Sequence, residues 1–103
     1  MSETGSLVHV VLVRWREDMP SRVLDDVGRR VAGFTSTIDG VVDAVEGASA
    51  SSEGLEDGFD WGLVVTFEDA VARDGYLDHP EHLPVAAAIG EWSERVVVFD
   101  LAR

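Results

Sequence analysis

Apolar residues in this chain gather in short dense runs separated by stretches of wider spacing, and the two patterns predict different elements. Residues 7–16, LVHVVLVRWR, are β-branched, aromatic or aliphatic apart from His9 and the two arginines, which is the composition of a strand. Val23, Leu24, Val27, Val31, Phe34 and Ile38 then recur at helical spacing. They predict a helix from about residue 20 to 36, with Pro20 in its first turn and Asp18 as its candidate cap. Asp39-Gly40 marks a turn before a second strand at 41–49, weakened by Gly47 and Ala48. The polar loop SSEGLEDG, 51–58, leads into a third strand at 59–68, FDWGLVVTFE. A short helix over 69–77 follows, with Asp69 placed to cap it and Gly75 to mark its end. Beyond the segment HPEH, residues 83–92 read as helical and 95–101, RVVVFDL, as the closing strand. The order is β-α-β-β-α-β, with the second helical region in two pieces.

Side-chain alternation along these strands exposes a problem. In the first strand Leu7, His9, Val11, Val13 and Trp15 point one way and Val8, Val10 and Leu12 the other. The third strand sets Trp61, Leu63, Val65 and Phe67 against Gly62, Val64 and Thr66, and the last sets Val96 and Val98 against Val97, Phe99 and Leu101. Both faces of such a sheet are apolar, yet two helical regions cover only one. A monomer would expose far more contiguous apolar surface than the few hundred Å² usual for soluble monomers. A homodimer is therefore expected, its interface built from Val8, Val10, Leu12, Val97 and Phe99.

Composition narrows the functions. At 103 residues the chain suits one core, so residues 7–101 are expected to form a single domain behind a flexible tail at 1–6. The absence of cysteine removes thiolate nucleophiles, disulfides and cysteine metal sites. A net charge of −12, with all eight basic residues Arg and no basic cluster beyond Arg29-Arg30, opposes a phosphate backbone, so no nucleic-acid partner is expected. The run LVHVVLV is too short to span a membrane and lacks the flanks of a signal peptide, which makes a cytoplasmic protein without a membrane partner the expectation. Neither a glycine-rich phosphate loop nor a G-x-S-x-G elbow is present.

Candidate chemistry concentrates in 74-DGYLDHPEH-82, where Tyr76, His79 and His82 follow one another at intervals of three. The segment reads as a core turn, a metal site or the acid–base end of a pocket. Metal binding is the least suited, because H-x-x-H is not the one-turn H-x-x-x-H spacing and Pro80 separates the two histidines, so no metal is expected. His9 is an imidazole among valines and needs a partner.

Four pieces together, 9-HVVLVRW-15, 58-GFDWGLVVTFE-68, 76-YLDHPEH-82 and 98-VFD-100, resemble the stress-responsive A/B barrel (Dabb) family over residues 7 to 101. The resemblance implies an α+β class, a ferredoxin-like β-α-β-β-α-β protomer that forms a dimeric α+β barrel, in agreement with the two-sided sheet. Some members of the family are cofactor-free polyketide cyclases, which use a strand-1 histidine together with the tyrosine and second histidine of Y-x-x-H-P-x-H. The matching positions are His9, Tyr76 and His82.

These residues suit that chemistry. Pro80 fits a first helical position, placing His79 near the cap and His82 in the first turn, where the helix dipole disfavours imidazolium and keeps a base neutral. Pro84 interrupts any helix that starts at Pro80. Tyr76 can lose or lend its proton through His82, and His9 adds an imidazole to a pocket expected to be lined by Val11, Val13, Leu63 and Trp92. The expected function is cofactor-independent acid–base chemistry on a small apolar or aromatic carbonyl ligand, with an aldol or Claisen-type ring closure as the closest example. The alternatives are a stress-associated dimer that carries a ligand without turnover and, by fold analogy alone, a cofactor-free oxygenase.

The assembly expectation is directly testable. Light scattering at micromolar concentration should return twice the monomer mass, and Val10→Asp, which sets a carboxylate in the middle of the buried face, should give insoluble or unfolded protein.

Overall fold

The structure, a computed structural model, describes residues 5–103. Most of the expected tail at residues 1–6 lies outside the described residues; Ser6 is held at the sheet's edge, its carbonyl accepting from the Arg103 N–H at 2.9 Å. The elements are β1 (Leu7–Trp15), α1 (Ser21–Ala32), α2 (Phe34–Thr37), β2 (Val41–Ala48), β3 (Trp61–Phe67), α3 (Ala70–Leu77), α4 (Leu83–Trp92) and β4 (Ser93–Ala102). The strands form one antiparallel sheet in the order β2-β3-β1-β4, which with the helices gives the ferredoxin-like α+β fold.

The core lies on one face of this sheet. Val11, Val13 and Trp15 of β1 and Trp61, Leu63, Val65 and Phe67 of β3 are buried there against Val27 and Val31 of α1, Phe34 of α2, Tyr76 of α3 and Val85 of α4. Period-two alternation in the strands thus meets a helical stripe, as the sequence predicts.

Local details depart from the expected boundaries for physical reasons. The first helix stops at Ala32 instead of running to residue 36, because Gly33, a poor helix former, closes it. The Gly33 N–H donates to the Arg30 carbonyl, and its own carbonyl accepts from the Ser36 and Thr37 hydroxyls, starting the short α2. Pro20 precedes α1 in an extended conformation, and Asp18 does not cap it; Asp18 is engaged bidentately by the Arg16 guanidinium, at 2.9 and 2.8 Å. Gly75 lies inside α3, which continues to Leu77, while Asp69 does cap that helix, accepting from the Ala72 N–H at 2.8 Å.

The opposite face of the sheet has no helix over it. Val8 and Val10 are half-buried, and Leu12, Val45, Val97, Phe99 and Leu101 are exposed, Phe99 at 61%. Strand β4 is exposed on its helix-side face as well, through Val96 and Val98, because the helices pack over β2, β3 and β1 and leave the edge strand uncovered. None of the helices among the described residues is long and apolar enough to cross a membrane.

Gly40 makes the turn from α2 into β2 with a φ of +87°, and its carbonyl accepts from the Glu68 N–H at 2.9 Å. A Cβ at this position would collide with Ala72 of α3. Gly40→Ala should therefore destabilise the fold by about 1–3 kcal/mol. Urea denaturation should show this as a lower midpoint at unchanged slope.

Candidate active site

Four elements bring titratable groups to one end of the core. The antiparallel register sets His9 of β1 directly opposite Asp100 of β4, and the His9 Nδ1 lies 2.6 Å from the Asp100 Oδ1. A carboxylate only accepts, so the His9 Nδ1 carries a proton toward Asp100, and the tautomer this selects has its lone pair on Nε2. The other carboxylate oxygen of Asp100 accepts from the Arg73 guanidinium, which reaches it from α3. Arg73 and Tyr76, three residues apart, occupy neighbouring positions on the surface of that helix.

Tyr76 is the centre of the cluster. Its ring is 1% exposed and meets Phe67 at 4.9 Å, Phe34 at 5.6 Å, His9 at 5.8 Å and His82 at 4.0 Å between centroids. The hydroxyl is buried without a hydrogen-bond partner among the described residues. Burial raises its pKa well above the usual phenol value, so Tyr76 keeps its proton. Of the two roles expected from the sequence, the physical setting therefore supports lending a proton rather than losing one.

His82 owes its position to a turn that the sequence reading placed inside a helix. The helix starts at Leu83, so Pro80 belongs to the turn after α3, and His82 is the residue that precedes α4. Pro84 stands in the first turn of α4, where a missing N–H costs no intrahelical bond. The His79 carbonyl closes the turn by accepting from the N–H groups of His82 and Leu83, at 2.9 and 3.0 Å, and the His79 Nδ1 accepts from the Glu81 N–H at 3.0 Å. The His82 Nδ1 lies 3.2 Å from the Leu77 carbonyl, which assigns its proton to that nitrogen and leaves Nε2 as the acceptor. Burial lowers the pKa of His82, opposed in part by the Leu77 carbonyl that accepts its Nδ1 proton. The ring is thus neutral at pH 7, a condition for a general base.

His9, Tyr76 and His82 are therefore brought together, each from a different element. The expected lining residues are not arranged around an open space: Val11, Val13 and Leu63 are closed off in the core. Trp92 packs at the core's margin with the Arg16 guanidinium 5.7 Å from its ring centroid. Among the described residues no group of three His, Cys, Asp or Glu side chains is arranged to hold a metal ion. A hollow of about 380 Å³ opens instead on the uncovered face of the sheet, where Gly47 and Gly62 pair across β2 and β3 and leave room between Leu12, Val45, Phe59 and Val64.

Two members of the cluster, Asp100 and Arg73, escaped the sequence reading. Asp100 was detectable in principle, as the one acid in the run 95–101, RVVVFDL, and on the same alternating face as Val96 and Val98. Arg73 gave no signal, because its partner comes from a strand 27 residues away.

Comparison with known proteins gives one family and one fold. The family model described as Stress responsive A/B Barrel Domain matches residues 7–102. No curated protein matches the chain. A dimeric ferredoxin-like protein of unknown function from Jannaschia sp. CCS1 superposes with a TM-score of 0.87 at 20% identity, over 96% of this chain and 100% of that one. A hydroxynitrile lyase from Passiflora edulis gives 0.84 at 17% identity, over 97% and 94%. A Dabb family protein with a ferredoxin-like fold from Mesorhizobium loti gives 0.73 at 21% identity, over 96% and 97%.

The unpaired hydroxyl of Tyr76 carries a measurable cost. Desolvating such a group without a partner costs about 1–3 kcal/mol, while the phenyl ring alone would keep every aromatic contact. Tyr76→Phe should accordingly leave the protein as stable as before or up to about 1 kcal/mol more stable, read by urea denaturation.

Proposed function

Because the chain belongs to the stress-responsive A/B barrel family, we propose that it is a homodimeric, cofactor-independent enzyme that performs acid–base chemistry on a small apolar or aromatic carbonyl compound, in the manner of a polyketide cyclase. The observation that carries this reading is the buried, unpaired Tyr76 hydroxyl beside two imidazoles, each with its Nδ1 proton already committed. A protonated phenol, a base with a free Nε2 at His82 and a second imidazole anchored by a carboxylate, set together at the edge of the core, are what enolisation needs. The His82 Nε2 takes the proton from the carbon next to a carbonyl; the electron pair of that C–H bond moves toward the carbonyl oxygen, which the Tyr76 O–H meets as negative charge develops. Attack of the enolate carbon on a second carbonyl forms the new C–C bond, and the resulting alkoxide takes a proton back from the His82 imidazolium. His9, fixed by Asp100, packs edge-on against the Tyr76 ring.

The dimer is supported by the apolar sheet face and by the dimeric state stated for the Jannaschia protein. Lyase chemistry on this scaffold is supported by the Passiflora hydroxynitrile lyase. One feature favours a second reading, carriage of an apolar ligand without turnover: the hollow over Gly47 and Gly62, which none of the three acid–base residues lines.

Two assays separate these readings. α-Proton exchange of acetophenone in D₂O, followed by NMR, and ring closure of linear poly-β-ketones, followed by mass spectrometry, should both be accelerated by the protein. His82→Ala and Tyr76→Phe should each lower these rates by on the order of 10² to 10⁴ with the circular dichroism spectrum unchanged. The rate should also fall as pH drops below the ordinary histidine value of about 6.5 and through the lower value of His82, since the imidazolium has no lone pair to accept a proton. Rates unaffected by His82→Ala would sink the catalytic reading, and oxygen uptake would point to an oxygenase instead.

A further inference from the structure

The carboxylate of Asp100 is held from both sides. One oxygen takes the His9 Nδ1 proton at 2.6 Å, and the other is engaged by the Arg73 guanidinium. Arg73 is itself only 24% exposed at the side chain and is steadied by Asp74, whose carboxylate accepts from Arg73 Nε at 2.8 Å. We propose that Arg73 is a positioning residue: by fixing the orientation of Asp100, it selects the tautomer of His9 and so leaves Nε2 as the basic atom of the ring that packs against Tyr76.

Asp100 lies on an edge strand with its side chain 27% exposed, and its two polar partners, His9 and Arg73, are what orient its carboxylate. A carboxylate free to turn no longer presents a fixed acceptor to His9 Nδ1, and a histidine without a fixed partner distributes its proton over both ring nitrogens. A charge-assisted bond from a planar guanidinium sets one oxygen in place and leaves the other for His9. Tyr76 and Arg73 sit three residues apart on α3, so the same helix supplies the acid of the site and the anchor of its partner's partner. The pair Arg73–Asp100 is also a side-chain link from the helical layer to β4, which the helices do not cover.

The inference uses the proposed acid–base reading only to give His9 a purpose, and it is tested without substrate. Ring-nitrogen NMR of ¹⁵N-histidine-labelled protein, at a pH where His9 is neutral, should show the Nδ1–H form alone in the unaltered chain. Arg73→Met should convert His9 to a mixture of both tautomers, with backbone amide signals of the β1 and β3 strands unmoved. Arg73→Lys should restore the Nδ1–H form in large part, and Asp74→Asn, which removes only the outer anchor, should leave it unchanged. Arg73→Gln, uncharged but of similar reach, gives the same comparison where Arg73→Met fails to fold. A His9 spectrum identical to that of the unaltered chain in folded Arg73→Met or Arg73→Gln would overturn the proposal and reduce Arg73 to a surface ion pair. Because this signature is independent of turnover, an inactive protein with the predicted tautomer shift would sink the enzymatic reading and leave the role of Arg73 standing.

Discussion

A sheet that is apolar on both faces, served by helices that cover only one, is the constraint on which the rest of this molecule depends. The helices bury the face of β1 and β3 that carries Val11, Val13, Leu63 and Val65, and they stop short of β4. What remains exposed is contiguous rather than scattered, running from Val45 through Leu12 to Phe99 and Leu101. Water is a poor solvent for a surface of that kind, and a second copy of the same face is the simplest apolar surface that fits it, since a two-fold interface requires only self-complementarity.

The site exists because the covered face is not wholly apolar. Placing a phenol and an imidazole in a valine-rich core is costly unless each polar atom finds a partner. His9 finds Asp100 at the margin of the sheet, where the carboxylate is still 27% exposed and is not itself fully desolvated. Tyr76 finds none among the described residues, and its ring is kept in place by edge-on contacts with Phe34, Phe67 and His9 and by the tilted His82 ring. Aromatic pairs of this kind contribute about 0.5–1.5 kcal/mol each beyond the area they bury, enough together to offset one unpaired hydroxyl. The polar end of the tyrosine is thus sustained by packing around its apolar body.

The succession of strands and helical regions along the chain and the two apolar faces were legible in the sequence because they depend on periodicity, which local residues carry. The grouping of His9, Tyr76 and His82 was legible through the order and spacing of the family's motifs, not through any local rule. The helix boundaries around them were not. Pro80 satisfies the rule for a first helical residue, but the His79 carbonyl closes a turn onto His82 and Leu83, and the helix starts where Pro84 can still be accommodated. Gly33 likewise ends a stripe of apolar residues that, by spacing alone, runs on to Phe34 and Ile38. Asp100 and Arg73 were hidden for a different reason, since their role comes from cross-strand register and from a helix-to-strand contact that no window of neighbouring residues contains.

That register joins assembly to chemistry. Along β4 the side chains alternate, so Val97, Phe99 and Leu101 face the uncovered side while Val96, Val98 and Asp100 face the side of His9. A slip of one residue against β1 would reverse both assignments, turning Phe99 toward the imidazole and Asp100 toward the apolar face. The pairing is continuous from Leu7↔Ala102 to Arg14↔Arg95 and shifts only between Arg14 and Trp15, beyond the residues that matter for either role. An edge strand has a neighbour on one side only, and edge strands are where register is most easily lost. Here the misplaced register would set a carboxylate among the apolar side chains of the uncovered face and leave the imidazole without its acceptor, two penalties for one error. The same alternation that gives one strand both its share of the uncovered apolar face and the acceptor of His9 therefore protects the register on which both depend.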